Sequence, residues 1–240
     1  MTPLIFALIA AGANVAGGFA VTSSAKRGLK VIELFLAFGA GYMLAVALAE
    51  MLPEAIERGG ADAAIYVLVG YLLVHLSQHT LTPHFHFGEE THTVTHAAGV
   101  SALIGLLLHT FFDGVAIASG FAISTQLGLL LFIAIFLHKL PEGVTISSIQ
   151  IAGGTTPKRA LASAAMLGAA TVIGVLATDY LGVLIEHGLA LSAGVTLYVG
   201  ASNLVPEFQG KRGWGLPVTF FLGSAVFFAT RAAIAVLLPS

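Results

Sequence analysis

Apolar stretches of about 20 residues, separated by short clusters of Gly, Pro and charge, recur along the whole 240-residue chain. Each is long enough to cross the roughly 30 Å hydrocarbon core of a bilayer as a helix rising about 1.5 Å per residue. They predict eight transmembrane helices near residues 3–22, 31–52, 62–79, 97–122, 127–150, 158–180, 187–207 and 215–238. The breaks between them fall at Lys26-Arg27-Gly28, Arg58-Gly59-Gly60, Gly153-Gly154, Pro157-Lys158-Arg159 and Lys211-Arg212-Gly213. The first stretch exceeds a signal-peptide core and lacks an early basic region, so it is expected to be a retained span. The whole of 1–240 reads as one transmembrane domain.

Composition narrows the class. The chain is 57% hydrophobic and 9% charged, whereas a soluble domain is about a quarter charged. A net charge of −2 on so few ionisable groups offers no basic face, which excludes a nucleic-acid partner. With no cysteine there is neither a thiolate metal site nor a disulfide. Lys26, Arg27, Lys30, Lys158, Arg159, Lys211 and Arg212 fall in alternate loops, against Arg58 alone on the other side. Cytoplasmic loops collect Lys and Arg, so both termini are expected to be extracytoplasmic; the expected location is the plasma (inner) membrane. The loop at 79–96 departs from this pattern: it has no Lys or Arg, but holds His79, His84, His86, His92 and His96 with Glu89 and Glu90.

The spans repeat. At an offset of 153, residues 40–54 lie over 193–207 with the shared pattern A-G-x-x-L-x-V-x-x-x-x-x-x-P-E, ending at Pro53-Glu54 and Pro206-Glu207. At an offset of 29, His109-Thr-Phe-Phe-Asp113-Gly114-Val115 lies over His138-Lys-Leu-Pro-Glu142-Gly143-Val144. Both pairs join spans that run in opposite directions, which makes them inverted repeats. Many secondary transporters place their site near mid-membrane at such an interface.

Residues four apart share a helix face, so His109 and Asp113 form one chelating pair and His138 and Glu142 another. Each lies about eleven or twelve residues into its span, so the pairs meet near mid-membrane. Imidazole with carboxylate suits Zn²⁺ and also Fe²⁺, Mn²⁺, Co²⁺ or Cd²⁺, whereas Ca²⁺ and Mg²⁺ want more oxygen. Asp113, Lys139 and Glu142 at helix centres would each cost about 2.5–3.5 kcal/mol, or about 8–10 together before pairing. A purely structural ion network would meet that cost, yet would leave the duplicated H-x-x-x-[DE]-G pattern unexplained. Pro141 is expected to disrupt the turn before it and free a carbonyl near Leu137.

These residues, with Ala40-Gly41-Tyr42-Met43-Leu44 and Leu52-Pro53-Glu54, resemble the ZIP (Zrt/Irt-like) family of divalent metal transporters over essentially the whole chain. The resemblance implies an all-α membrane protein with eight transmembrane helices in a 3+2+3 inverted-repeat arrangement. It also implies Zn²⁺ import towards the cytoplasm by an elevator-like, alternating-access motion of spans one, four, five and six. His109, Asp113, His138 and Glu142 match the metal-ligand positions, and Met43 matches a span-two methionine that approaches them weakly. Thr110 stands where two-metal members have Asn, Lys139 where they have an acid, and 169–171 lacks the span-six acid. Lys139 is therefore expected to act as the surrogate for a second cation, leaving one ion per site. Phe112 replaces a proline of some members, so span four is expected to kink less.

The expected partners are divalent ions, the lipid bilayer and a second copy of the chain, with no cofactor. Rival classes are a metal-gated channel and an intramembrane metalloenzyme; against the latter, there is no H-E-x-x-H and no general base beyond the ligands. Glu50, Glu54, Asp62 and Glu186 lie where they would draw cations inward from outside. Asn203 and Glu207 lie where they would line an exit.

Overall fold

The computed structural model describes residues 2–23, 29–80, 96–206, 211 and 213–238. All regular structure among them is helical. The helices are α1 (Thr2–Ser23), α2 (Leu29–Val46), α3 (Leu52–Thr80), α4 (His96–Ile123), α5 (Thr125–Ala152), α6 (Pro157–Thr178), α7 (Gly182–Tyr198) and α8 (Gly215–Leu237). A π-helical turn, Ala47–Met51, joins α2 to α3, and another, Val199–Leu204, extends α7.

Local chemistry sets several ends. Ser124 alone separates α4 from α5; its extended backbone breaks the helix and its hydroxyl accepts the Leu127 amide at 3.1 Å. Thr156 caps α6 in the same way, with Pro157 in the first turn, where no amide is needed. Leu181 is extended, so α7 begins at Gly182, five residues before the expected start at 187. α5 runs unbroken through Pro141, so the expected disruption is confined to the Leu137 carbonyl, which Pro141 has no amide to serve.

Among the described residues, seven helical runs are long and apolar enough to cross a membrane. The stretches expected at 31–52 and 62–79 lie in one helical run, Leu36–Ser77, because the only break between them is a single residue. That residue is Gly60, at φ 58°, ψ −146°, a conformation that residues with a side chain rarely adopt.

The helices pack in two groups: α1 lies on α5 and α6 and α4 on the same pair, while α2 pairs with α8 and α3 with α7. The groups meet where α4 touches α7 and α5 touches α2. Within each group the crossings are closed by reciprocal glycines, each lying so close to a carbonyl of the opposite helix that no Cβ fits. A Cβ on Gly17 would lie 2.1 Å from Leu140 O, and one on Gly143 would lie 2.0 Å from Asn14 O. The α4–α6 crossing pairs Gly174 with Phe111 O and Gly114 with Thr171 O, both at 2.0 Å. Gly41 with Phe220 O and Gly223 with Phe38 O close α2 on α8, and Gly194 with Val67 O and Gly70 with Leu191 O close α3 on α7.

These contacts carry the sequence offsets. Gly114 and Phe111 stand 29 residues before Gly143 and Leu140, while Gly41, Gly70, Phe38 and Val67 stand 153 before Gly194, Gly223, Leu191 and Phe220. The π-turn Ala47–Met51 falls at the same 153-residue offset within the turn Val199–Leu204. Small residues that bring backbones together are the usual means of packing helices in lipid, where burial against water gives no driving force.

Candidate metal centre

α4 and α5 form an antiparallel pair: Gly120 packs on Gly128 near the turn, and the His109 and His138 rings lie 5.4 Å apart deeper in. That register brings the two i, i+4 pairs face to face. His109, Asp113, His138 and Glu142 are all buried, and each offers one ligand atom within 4.8 Å of the others. The cluster is the set that the spacing predicts.

Its hydrogen bonding is incomplete in a way that suits a cation. His138 Nδ1 lies 2.9 Å from the Ala134 carbonyl, which can only accept, so Nδ1 carries the proton. In the neutral ring Nε2 is then a bare lone pair, and it points at Asp113 Oδ2, 3.3 Å away. Two acceptors facing each other at that distance call for a positive charge between them, and a backbone carbonyl fixing the distal nitrogen is how metal-bound histidines are oriented. His109 Nε2 also lies 3.3 Å from Asp113 Oδ2, but neither of its ring nitrogens makes a hydrogen bond. Glu142 Oε1 is likewise buried without a partner. Buried polar atoms in proteins are nearly always satisfied, so three orphans around one carboxylate mark a place for a ligand.

Lys139 fills the other side. Its wholly buried ammonium donates to Asp113 Oδ2 at 2.6 Å and to Glu142 Oε2 at 2.8 Å. With one positive and two negative charges, the cluster carries −1 before any ion enters.

Met43 is buried beside the cluster and lines a cavity of about 10 Å³ with Asp113, His138, Met51, Ala116 and Thr196. That is room for one water-sized particle. Further along α4, a cavity of about 440 Å³ is lined by Ser119, Arg58, Asp179, Glu186 and His187. Of these, the sequence pattern singled out Glu186; His187, stacked on Tyr66 at 3.6 Å, and Asp179 gave no signal. Glu50 pairs with Arg231 of α8, whereas Glu54 pairs with Arg58 one turn along its own helix. His84, His86, His92, Glu89, Glu90 and Glu207 lie outside the described residues, as do Lys26, Arg27 and Arg212.

A bundle of membrane-length helices enclosing a buried two-histidine, two-carboxylate cluster defines an integral membrane protein whose buried donor set fits a metal ion. The profile of the family described as ZIP Zinc transporter matches residues 88–235, which include all four cluster residues, and the chain belongs to that family. It is 29% identical over 159 residues to zinc transporter ZIP6 of Homo sapiens, a match covering 60% of this chain and 21% of that protein. It is also 29% identical over 119 residues to zinc transporter ZIP10 of Danio rerio, covering 46% of this chain and 14% of the other. Against zinc transporter ZIP4 of Rattus norvegicus it is 28% identical over 116 residues, covering 45% and 17%. The matches thus span about a fifth or less of the length of these relatives.

Proposed function

We propose that this chain carries divalent transition-metal ions, Zn²⁺ first among them, across a plasma or inner membrane towards the cytoplasm, binding one ion at a time between α4 and α5. The observation that carries the proposal is the convergence of His109, Asp113, His138 and Glu142 at membrane depth, with unpaired ligand atoms facing one another. Family membership and the three zinc-transporting relatives support the same cargo. The ligand set also accommodates Fe²⁺, Mn²⁺, Co²⁺ and Cd²⁺.

The chain crosses the membrane eight times. The run Leu36–Ser77 would be roughly 63 Å long as a straight helix, about twice the hydrocarbon thickness, and the break at Gly60 lets it serve as two crossings. An even number of crossings puts both termini on one side. Spans one to three and six to eight are inverted copies flanking the α4–α5 pair, a 3+2+3 arrangement. The glycine crossings support this, since α1 on α5 corresponds to α6 on α4, and α2 on α8 to α7 on α3.

Access alternates by sliding α1, α4, α5 and α6 against α2, α3, α7 and α8. Backbone-to-backbone glycine contacts lock α1 to α5 and α4 to α6 in the first group, and α2 to α8 and α3 to α7 in the second. Across the boundary, by contrast, Gly188 of α7 meets the side chains of Ser119 and Val115 on α4, and Ser192 bonds Phe112 O at 3.0 Å. Side-chain contacts can be exchanged in a sliding motion; interlocked backbones cannot. Met43, on the static side, gives the ion a weak passing contact.

Uptake of ⁶⁵Zn²⁺ into proteoliposomes tests the proposal. A transporter shows saturable net uptake that Glu142→Ala abolishes. Flux that fails to saturate would mark a channel, and metal-dependent turnover without net ion movement a metalloenzyme.

A further inference from the structure

The middle of α1 carries one polar side chain, Asn14, in a run of Ala, Gly and aliphatic residues. It is wholly buried, and neither its Oδ1 nor its Nδ2 has a hydrogen-bond partner. Carboxamides buried to hold helices together in lipid do so by bonding across the interface, because no water is present to satisfy them. Asn14 makes no such bond.

Its position is defined by the tightest contacts of the α1–α5 crossing. Gly143, the residue after Glu142, lies against Asn14's own backbone, and Gly17, one turn on, lies against Leu140 O. Asn14 therefore stands beside the stretch of α5 that carries Lys139 and Glu142, whose Oε1 is also buried and unpartnered. The repeat sharpens the comparison. Thr171 of α6 holds the corresponding place beside Gly114, the residue after Asp113, and its hydroxyl is satisfied within its own helix by Leu167 O at 3.4 Å. The two crossings match in backbone, but the α1 side presents an unsatisfied oxygen and nitrogen where the α6 side presents a self-capped hydroxyl.

We infer that Asn14 is a further ion-contacting residue, whose carboxamide oxygen binds the partly hydrated divalent ion held by Glu142. This rests on the assignment of the ion to the His/carboxylate cluster. α1 then contributes to binding as well as packing, alongside the ligands of α4 and α5. Oxygen from a neutral carboxamide adds a hard ligand without adding charge to a cluster already balanced at −1.

The test is equilibrium Zn²⁺ binding and ⁶⁵Zn²⁺ uptake by Asn14→Leu and Asn14→Asp, each with its melting temperature. Asn14→Leu removes an unsatisfied polar group at similar volume, so a purely structural role leaves binding unchanged. The inference expects Kd and KM to rise about tenfold, the size of one lost charge-assisted contact, with the melting temperature unchanged or raised. Asn14→Asp, which keeps the oxygen, restores parental or tighter binding. If Asn14→Leu fails to reach the membrane, Asn14→Thr takes its place; its hydroxyl can cap on Ala10 O as Thr171 does on Leu167, and it should bind as weakly. Parental Kd in the Leu or Thr variant, or weakening that tracks a fall in melting temperature and is not rescued by Asp, overturns the inference. Loss of uptake in His109→Ala together with parental Asn14→Leu would overturn this inference alone. Parental uptake in His109→Ala would overturn the cluster reading beneath it.

Discussion

Lys139 reaches from α5 to place its ammonium 2.6 Å from Asp113 Oδ2 on α4, inside the cluster that His109, Asp113, His138 and Glu142 form. The pair ties the two helices and fixes the charge available to an ion. One divalent ion takes the cluster from −1 to +1; a second would take it to +3, where charges are costly and poorly screened. Lys139→Asp should therefore open a second, weak site. Calorimetry is expected to give one ion in the parent and two in the variant, with Thr110 and the missing span-six acid keeping the second affinity low. Two ions in the parent would remove Lys139 from this role.

Lys139→Met leaves two buried carboxylates without their counter-charge. Breaking a buried pair from one side costs about 3–5 kcal/mol, so the variant should melt well below the parent in detergent. Zn²⁺ should recover more of that loss than it adds to the parent, because the ion becomes the sole cation facing Asp113 and Glu142. Equal stabilisation of both proteins by Zn²⁺ would contradict the sharing of Asp113 and Glu142 between ammonium and ion.

Binding should weaken as the solution is acidified. The ion needs neutral imidazoles and ionised carboxylates, so every proton held by a ligand must leave before the ion is bound. Affinity is thus lost as pH falls. Zn²⁺ titrations from pH 5 to 7.5 check the sign, and a constant Kd over that range would exclude a two-histidine site.

The glycine crossings predict a sharp contrast between neighbouring helix positions. Gly114→Ala and Gly143→Ala each drive a methyl group to 2.0 Å from an opposing carbonyl oxygen, and overpacking of this kind costs about 1–3 kcal/mol. Gly12 has no heavy atom within 4 Å of its Cβ position, so Gly12→Ala should be neutral. Thermal stability in detergent separates the three. Matching melting temperatures would mean that the helices cross less closely than described.

Much of this architecture was legible along the chain because it is local. Hydropathy marked the spans, and the i, i+4 spacing of His109 with Asp113 and His138 with Glu142 named the four residues that the fold brings together. The break at Arg58-Gly59-Gly60 was also visible, but hydropathy windows do not show that one positive φ at Gly60 can divide a pair of helices without an intervening loop. Other signals are non-local. Nothing near Gly70 or Gly223 in sequence shows that each faces a carbonyl on a distant helix, and Asn14 looks incidental until α1 is laid on α5. The start of α7 was misplaced because Gly182–Glu186 mixes glycine and charge with aliphatics, which obscures the helix that Leu181 begins.

Anomalous diffraction at the zinc edge, from crystals of the unmodified protein equilibrated with Zn²⁺, addresses the central claim most directly. The account expects one peak between α4 and α5, about 2.0–2.2 Å from His109 and His138 nitrogens and from Asp113 and Glu142 carboxylate oxygens. A zinc-loaded protein with no peak at that position, or with two, would contradict it.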